Sequence, residues 1–216
     1  MQVSRITLRG KVADERLRVW EANRGDWQAQ EADGEAVLAL LDNPATDWRG
    51  GTVAIAGDPA WRDCEFSLEL RLLPHTDSAM AWPGIAVRAQ DTANYELFWF
   101  MPHVEDDTAG NVAYLPVAHN VVPWWNDSYV DIPRGAARYE PGEWLPVSVR
   151  VQGIEASVRV RNDTEPILSV RLSYYLDGGR VGVYCGTQTA AQFRRMRVDL
   201  LPPEPIPDPP GLAPRR

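Results

Sequence analysis

The sequence predicts an all-β protein built as a sandwich or a barrel. Apolar and polar residues alternate with a period of two along most of the 216 residues, whereas the 3.6-residue period of a long amphipathic helix is missing. The 16 glycines and 18 prolines, together with Asp and Asn, divide the alternating stretches into short pieces. Many short strands joined by frequent turns are typical of β-sandwiches and β-barrels.

Eleven stretches have the alternation and composition of strands. They are residues 36–41, 52–56, 64–73, 84–90, 95–101, 112–115, 145–152, 156–161, 167–172, 179–185 and 191–200. In the clearest of them, every second residue from Cys64 to Leu72 is apolar and the residues between them are polar. We expect the apolar side to meet the opposite sheet and the polar side to meet water or a groove. Residues 148–152 and 157–161 repeat the alternation and predict a hairpin.

The charge balance excludes two classes of partner. The chain has 22 basic and 30 acidic residues, a net charge of −8 and a pI near 4.9. Nucleic acids and anionic membranes both need cationic patches, so neither is an expected partner. One lysine against twenty-one arginines is typical of a GC-rich genome and suggests a bacterial source.

The ends of the chain bear on location and domain organisation. The N-terminal segment lacks the apolar core of about 7–15 residues that a signal peptide needs, which predicts a cytoplasmic protein. We expect a single sandwich domain over residues 1–201, followed by a Pro-rich tail over 202–216 with seven prolines in 202–214. We expect such a tail to be extended and to form a strap or a frayed chain end, or else to bind the aromatic groove of a protein partner.

No cofactor is predicted. Cys64 and Cys185 lie in apolar, strand-like stretches, which favours two buried free thiols over a disulfide or a reactive cysteine. No histidine has zinc-finger spacing to them. The acidic triplet 105–107 is a weak calcium candidate, because calcium loops usually space their acids at alternate positions. Phosphate-binding glycine loops are also missing from the sequence.

The order of several short motifs resembles the concanavalin A-like lectin/glucanase superfamily, in the branch of the laminin-G-like domains and the 3-keto-disaccharide hydrolases. The motifs are Trp61-Arg62-Asp63-Cys64-Glu65-Phe66, Gly84-Ile85-Ala86-Val87-Arg88, Asn94-Tyr95-Glu96-Leu97-Phe98, Gly142-Glu143-Trp144-Leu145-Pro146-Val147 and Gly179-Arg180-Val181-Gly182-Val183-Tyr184. The resemblance implies a two-sheet antiparallel jelly-roll sandwich with a concave ligand-binding face. Retaining glucanases of the superfamily carry Glu-x-Asp-x-Glu on one strand. Residues 65–69 lack the middle acid, so hydrolytic activity is not implied.

The hairpin formed by residues 84–101 is the first candidate ligand-binding surface. A turn centred on Thr92 would place Arg88 opposite Glu96. Five side chains would then share one surface, namely Arg88, Gln90, Glu96, Phe98 and Phe100, while Tyr95, Leu97 and Trp99 would lie on the core face. Rings that stack on sugar C–H faces, beside charges that hold hydroxyls, suit a polar ligand. An ordinary ion pair beside a second hydrophobic layer is the other interpretation.

The long connection over residues 102–142 supplies further candidates. His103 and His119 are suited to proton transfer near neutral pH, although the sequence favours structural or incidental roles for them. The adjacent Trp124 and Trp125 cannot both point inward on a strand, so one of them is expected to face a cleft or to cap a sheet end. Tyr114 completes the ligand-binding set. Four other tryptophans suit core packing, namely Trp27, Trp61, Trp99 and Trp144.

Two functions follow from this set of residues. The first is binding of a carbohydrate or glycoside on the concave face. The alternative is an enzyme acting on a small molecule in the same groove. It would be either a sugar hydrolase or lyase with Glu96, His103 and His119 as catalytic residues, or a biosynthetic cyclase. A third interpretation is an interaction domain that docks a protein partner through its tail.

Overall fold

The computed structural model describes residues 3–43, 51–73, 81–102, 111–121, 134–172 and 176–204, which form two antiparallel β-sheets. The eight-stranded sheet has the order β1 (Ser4–Thr7), β2 (Val19–Ala22), β5 (Thr52–Ala56), β14 (Arg180–Cys185), β7 (Pro83–Asp91), β8 (Asn94–Phe100), β9 (Val112–Val117), β10 (Arg134–Gly135). The seven-stranded sheet has the order β13 (Leu168–Arg171), β12 (Glu155–Val160), β11 (Leu145–Gln152), β6 (Cys64–Leu72), β15 (Ala191–Leu200), β4 (Glu35–Leu40), β3 (Trp27–Ala32). The predicted all-β class is therefore confirmed.

All eleven predicted strands are present, with ends that differ by two residues or fewer. The largest difference is in β9, which continues two residues beyond its predicted end, to Val117. The sequence did not indicate β1, β2, β3 and β10, because these are short or carry polar residues on both sides, as in the Trp-Gln-Ala-Gln-Glu-Ala of β3. The helical content of the described residues is one 3-10 turn, Glu15–Leu17, and no helix among them could cross a membrane.

The main hydrophobic core lies between the two sheets. It takes alternate residues of the seven-stranded sheet, including Phe66 of β6 and Phe193 of β15, and it packs them against Phe98 and Phe100 of β8. The predicted hairpin is confirmed as β11–β12, with Gln152 paired to Glu155 across a two-residue turn. The seven-stranded sheet keeps its other face partly exposed, as the alternation of β6 predicts.

The eight-stranded sheet differs because its central strands, β5, β14, β7, β8 and β9, are buried on both faces. Strands β7, β8 and β9 have almost no exposed residue along their length. Its outer face carries a second apolar cluster that includes Tyr95, Leu97, Trp99 and Tyr184. We call this outer surface the aromatic face.

The predicted register of the β7–β8 hairpin is wrong by one residue. Val87 pairs with Glu96 and Ile85 with Phe98, so Arg88 does not lie opposite Glu96. The physical reason is a bulge between Val87 and Asp91, where Arg88 adopts a left-handed φ of +50°. A one-residue shift exchanges the faces of β8 relative to β7, which is why Tyr95, Leu97 and Trp99 lie on the aromatic face. Phe98 and Phe100 lie instead in the core between the sheets.

Both cysteines are free and buried, as the sequence predicts. Burial raises the pKa of the Cys64 thiol from 9.0 to about 11, and it raises the pKa of Cys185 well above its usual value. The thiolate is the reactive form of cysteine, so these thiols are poor nucleophiles in the folded protein.

The raised pKa of Cys64 predicts a loss of stability in alkali. The native state keeps the thiol proton to about pH 11, whereas the unfolded chain loses it near 9.0. The contribution of the protonated Cys64 thiol to the free energy of unfolding is therefore complete below pH 9 and is lost as the pH rises towards 11. At about 1.4 kcal/mol per pKa unit, it amounts to about 2–3 kcal/mol. Urea unfolding at several pH values measures this effect. Between pH 9 and 11 the free energy of unfolding should fall less steeply with pH for Cys64→Ala than for wild type. Equal slopes would show that Cys64 does not cause the loss of stability.

Candidate functional site

The residues predicted to form an open groove on β7–β9 do not share a surface. The Glu96 side chain is fully buried in the part of the chain that the structure describes. Its Oε2 accepts a hydrogen bond of 2.6 Å from the Tyr114 hydroxyl. Phe98 and Phe100 are buried between the sheets, and the Phe98 ring lies 5.3 Å from the ring of Tyr114. The structure therefore brings Glu96, Phe98, Phe100 and Tyr114 together, but in the interior.

Arg88 lies in a different buried cluster. Its Nη2 donates to Asp63 Oδ1 at 2.9 Å, and both side chains are 2% exposed. Its remaining nitrogens donate to backbone carbonyls, Nε to Arg62 at 3.3 Å and Nη1 to Leu176 at 3.1 Å. The partner of Arg88 is thus Asp63 rather than the predicted Glu96.

The other predicted residues fall into two groups. Gln90 is exposed at the end of β7, and its side-chain amide donates to the Gly178 carbonyl. His119 is exposed in the turn after β9, with a φ of +52°, and its backbone N–H donates to Asn94 Oδ1 at 3.1 Å. Residues His103, Trp124, Trp125 and the acidic triplet lie outside the described residues. The ligand-binding and catalytic roles assigned to the whole set stay predictions.

The aromatic face is closed by the chain itself. Its rings approach in two pairs, Tyr95 with Tyr184 and Trp82 with Trp99, each with centroids 6.4 Å apart. A Cβ atom on Gly51 would lie 2.1 Å from the Tyr184 ring, so the backbone of Gly51 covers that ring directly. Burial also raises the pKa of Tyr95 well above its usual value. This face therefore packs as a second core.

The outer surface of the seven-stranded sheet is the candidate site. We call it the polar face and define it by the outward residues of its strands together with Trp144, which directly precedes β11. The indole of Trp144 carries two guanidinium groups, with Arg71 Cζ 4.3 Å and Arg194 Cζ 4.1 Å from a ring centroid. Trp144 is only partly buried, so its predicted place in the core is wrong. A Trp ring is the aromatic surface that attracts cations most strongly.

Planar polar groups continue from Trp144 across the sheet. Arg71 Nε and Nη2 donate to Gln192 Oε1 at 3.0 and 2.5 Å. Gln192 Nε2 in turn donates to Gln30 Oε1 at 2.8 Å. Hydrogen bonds thus join the Arg71 guanidinium to two amides over strands β6, β15 and β3, and the guanidinium stacks on the indole of Trp144. These contacts form one row in which each group has a fixed orientation.

A bulge in β15 adds two more charges to this row. The register shifts between Arg194 and Arg197, and Arg195 has a φ of +53°, so consecutive arginines reach the same face. Arg194 Nε donates to Glu69 Oε2 at 2.7 Å, and Arg195 bridges Glu69 and Glu35 at 2.8 and 2.9 Å. Both carboxylates are therefore occupied by arginine.

Several guanidinium nitrogens of the row remain available. In the described part of the chain, Arg71 Nη1 and both terminal nitrogens of Arg194 donate no hydrogen bond, and none of them is buried. The strand residues of the polar face carry seven arginines against five carboxylates. They are Arg71, Arg150, Arg159, Arg171, Arg194, Arg195 and Arg197, against Glu35, Glu65, Glu69, Glu155 and Asp199. This face therefore has a net charge of +2 in a chain of −8.

The sequence contained part of the signal for this site. The alternation of β6 assigns Glu69 and Arg71 to a surface facing water or a groove, as observed. The contribution of Gln30, Trp144 and Gln192 could not be deduced, because strands distant in the chain bring them together. Among the described residues, no group of three or more His, Cys, Asp or Glu side chains could hold a metal ion.

The fold is similar to that of several solved structures, including a carbohydrate-binding module. The carbohydrate-binding module CBM66 from Bacillus subtilis gives a TM-score of 0.60 at 9% identity, covering 83% of this chain and 94% of the module. A galectin-like protein of unknown function from Bacillus subtilis gives 0.55 at 10% identity, covering 84% and 89%. The exoplasmic/lumenal domain of VIP36 in its Ca²⁺/Man3GlcNAc-bound form gives 0.55 at 10% identity, covering 88% and 86%.

No protein-family model matches the chain, and no curated protein matches it in sequence. The likeness in structure therefore concerns the fold, at identities of 9–10%. The chain is a two-sheet antiparallel jelly-roll sandwich, a fold that it shares with a carbohydrate-binding module.

Proposed function

We propose that this protein binds a carbohydrate on its polar face, at the row formed by Trp144, Arg71 and Gln192. The observation that carries the proposal is the partly exposed indole at one end of a fixed row of planar hydrogen-bonding groups. A sugar ring presents an apolar C–H surface and an edge of hydroxyls. An aromatic ring suits the surface, and convergent amide and guanidinium groups suit the edge.

The comparisons with solved structures support this proposal without assigning a ligand. One similar protein is a carbohydrate-binding module, and another was solved with Man3GlcNAc bound. The same likeness supports a place in the concanavalin A-like superfamily. Membership of its laminin-G-like branch rests on the sequence motifs alone, and the cytoplasmic location and bacterial source stay predictions from the sequence.

The polar side chains of the row are held in fixed orientations by one another. Gln192 holds Arg71, and Gln30 holds Gln192, so the amide and guanidinium planes are set by protein contacts. Side chains that are already ordered lose less conformational freedom on binding, which raises affinity for a given set of contacts. This order favours a binding site over an incidental surface cluster.

Replacement of Trp144 by alanine should weaken glycan binding about tenfold. A stacked aromatic contact contributes about 0.5–1.5 kcal/mol, and about 1.4 kcal/mol corresponds to a factor of ten in affinity. Affinity electrophoresis against a panel of neutral and acidic polysaccharides provides the measurement. Trp144→Phe keeps a ring over Arg71 and Arg194 and should keep most of the affinity.

Two outcomes would count against the proposal. If the wild-type protein is retarded by no polysaccharide of the panel, carbohydrate binding is wrong. If it is retarded and Trp144→Ala is retarded equally, the ligand lies elsewhere on the sandwich. Circular dichroism of each variant checks that the loss of the ring has not unfolded the protein.

A further inference from the structure

We propose that the polar face selects acidic saccharides, with the carboxylate of a uronic acid unit held by the guanidinium groups of Arg71 and Arg194 beside Trp144. This inference rests on the proposed function and names its ligand class. It goes beyond sugar binding as such, because a neutral glycan would leave the charges of this row unused.

The first step is the unpaired charge of Arg71. Its hydrogen bonds in the described part of the chain go to Gln192, which is neutral, and no carboxylate pairs with it there. Its guanidinium instead lies 4.3 Å from a ring centroid of Trp144. A guanidinium that is stacked and hydrogen-bonded but lacks a counter-ion is well suited to receive an anion.

The second step is the local charge around Arg194. Glu69 accepts from Arg194 and also from Arg195, and Glu35 accepts from Arg195. Three arginines of the row, with Arg71 included, therefore face two carboxylates. One positive charge is left over at the place where Arg71 and Arg194 both approach Trp144.

The third step is the geometry of the free donors. Arg71 uses Nε and Nη2 for Gln192, and Arg194 uses Nε for Glu69, which leaves Arg71 Nη1 and both terminal nitrogens of Arg194. These unused nitrogens are not buried. A guanidinium binds a carboxylate through two parallel N–H···O bonds, which a hydroxyl cannot reproduce. A carboxylate on a sugar ring would thus bind the arginines while the ring lies along Trp144.

The test compares acids with their own esters. The probes are oligogalacturonate and oligomannuronate, each with its fully methyl-esterified form, and a sulfated neutral oligosaccharide. Titration calorimetry at low salt with the full chain should show at least about tenfold tighter binding of one uronate than of its ester, since charge-assisted hydrogen bonds contribute about 1.5–3 kcal/mol. Added salt should narrow the difference.

Variants assign the preference to specific residues. Arg71→Gln and Arg194→Gln should each reduce the uronate affinity about tenfold while changing the ester affinity less than threefold. Arg171→Gln is the matched control. It removes one positive charge from the same face at the edge strand β13, away from Trp144, and it should bind uronate like wild type.

The possible failures can be told apart. Equal binding of uronate and ester, with the loss of both in Trp144→Ala, would overturn acid selection and leave carbohydrate binding intact. Binding of the sulfated glycan without binding of either uronate would overturn the carboxylate assignment. If Arg171→Gln lowers the uronate affinity as much as Arg71→Gln and Arg194→Gln do, the preference for uronate comes from the overall charge of the polar face and not from a specific site. No binding of any probe by a protein that a neutral polysaccharide of the panel retards would overturn acid selection alone. Retardation by no polysaccharide of the panel would overturn the proposed function itself.

Discussion

Replacement of Asp63 by alanine is expected to destabilise the folded protein by about 3–5 kcal/mol. Its carboxylate neutralises Arg88 at 2.9 Å in a pair whose side chains are both 2% exposed. Without Asp63 the guanidinium of Arg88 stays buried without a counter-charge. Removing one member of a buried ion pair is strongly destabilising for this reason, even where the intact pair adds little net stability.

The carboxylate of Asp63 also holds two backbone groups. Oδ1 accepts from the N–H of Gly153 at 3.1 Å, and Oδ2 accepts from the N–H of Glu204 at 2.5 Å. Gly153 lies in the β11–β12 turn, and Glu204 follows the last strand, at the start of the Pro-rich segment. Asp63 and Arg88 therefore tie together segments from both sheets, and their loss should affect the whole unfolding transition rather than one loop.

Urea unfolding followed by tryptophan fluorescence measures this prediction. Asp63→Asn keeps an oxygen acceptor but loses the charge, so it should lie between wild type and Asp63→Ala. The double variant Asp63→Ala/Arg88→Leu removes both charges, and it should be less destabilised than the sum of Asp63→Ala and Arg88→Leu. A loss below about 1 kcal/mol for Asp63→Ala would show that its removal does not leave Arg88 buried without a counter-charge, against what the structure indicates.

The sequence predicts burial and register well where one face of a strand is exposed to solvent. In β6, β11 and β12 an apolar residue alternates with a polar one, and the burial of each residue follows that alternation. A shift of one residue would bury charges such as Glu69 or Arg150, so the pattern itself determines the register. The hairpin between β11 and β12 could be predicted for the same reason.

The sequence was uninformative where both faces of a strand are buried. In β7 the consecutive Ile85, Ala86 and Val87 are all apolar and all buried, so either register keeps apolar groups out of water. The bulge then decides the outcome, and it depends on a left-handed backbone at Arg88. An arginine in the sequence does not predict such a conformation, because glycine and asparagine usually adopt it.

The candidate site was missed for a related reason. Its alternation was visible in β6, but the alignment of Gln30, Trp144 and Gln192 with Arg71 depends on which strands become neighbours. Strand order in a jelly roll joins segments that are far apart along the chain, and one sequence does not specify it. The bulge that places Arg194 and Arg195 on one face lies outside a period-two pattern as well.

Replacement of Phe98 by alanine distinguishes the geometry of the structure from that predicted by the sequence. The sequence places Phe98 in an open groove, where its removal would weaken ligand binding and change stability little. In the structure it is fully buried between the sheets, with its ring 5.3 Å from that of Tyr114. Removal of a buried Phe side chain costs about 3–5 kcal/mol, because it loses apolar contacts and leaves a cavity.

The expected result for Phe98→Ala is thus a fall of about 6–20 °C in Tm, since about 1 kcal/mol shifts Tm by about 2–4 °C at this chain length. Gln90→Ala is the control, because Gln90 belonged to the same predicted surface but is exposed in the structure. It should shift Tm by no more than about 2 °C, because exposed substitutions usually stay within about 0.5 kcal/mol. If both variants change Tm equally and by little, Phe98 would lie on an open surface, as the sequence predicts. That result would contradict the observed register of β7 and β8.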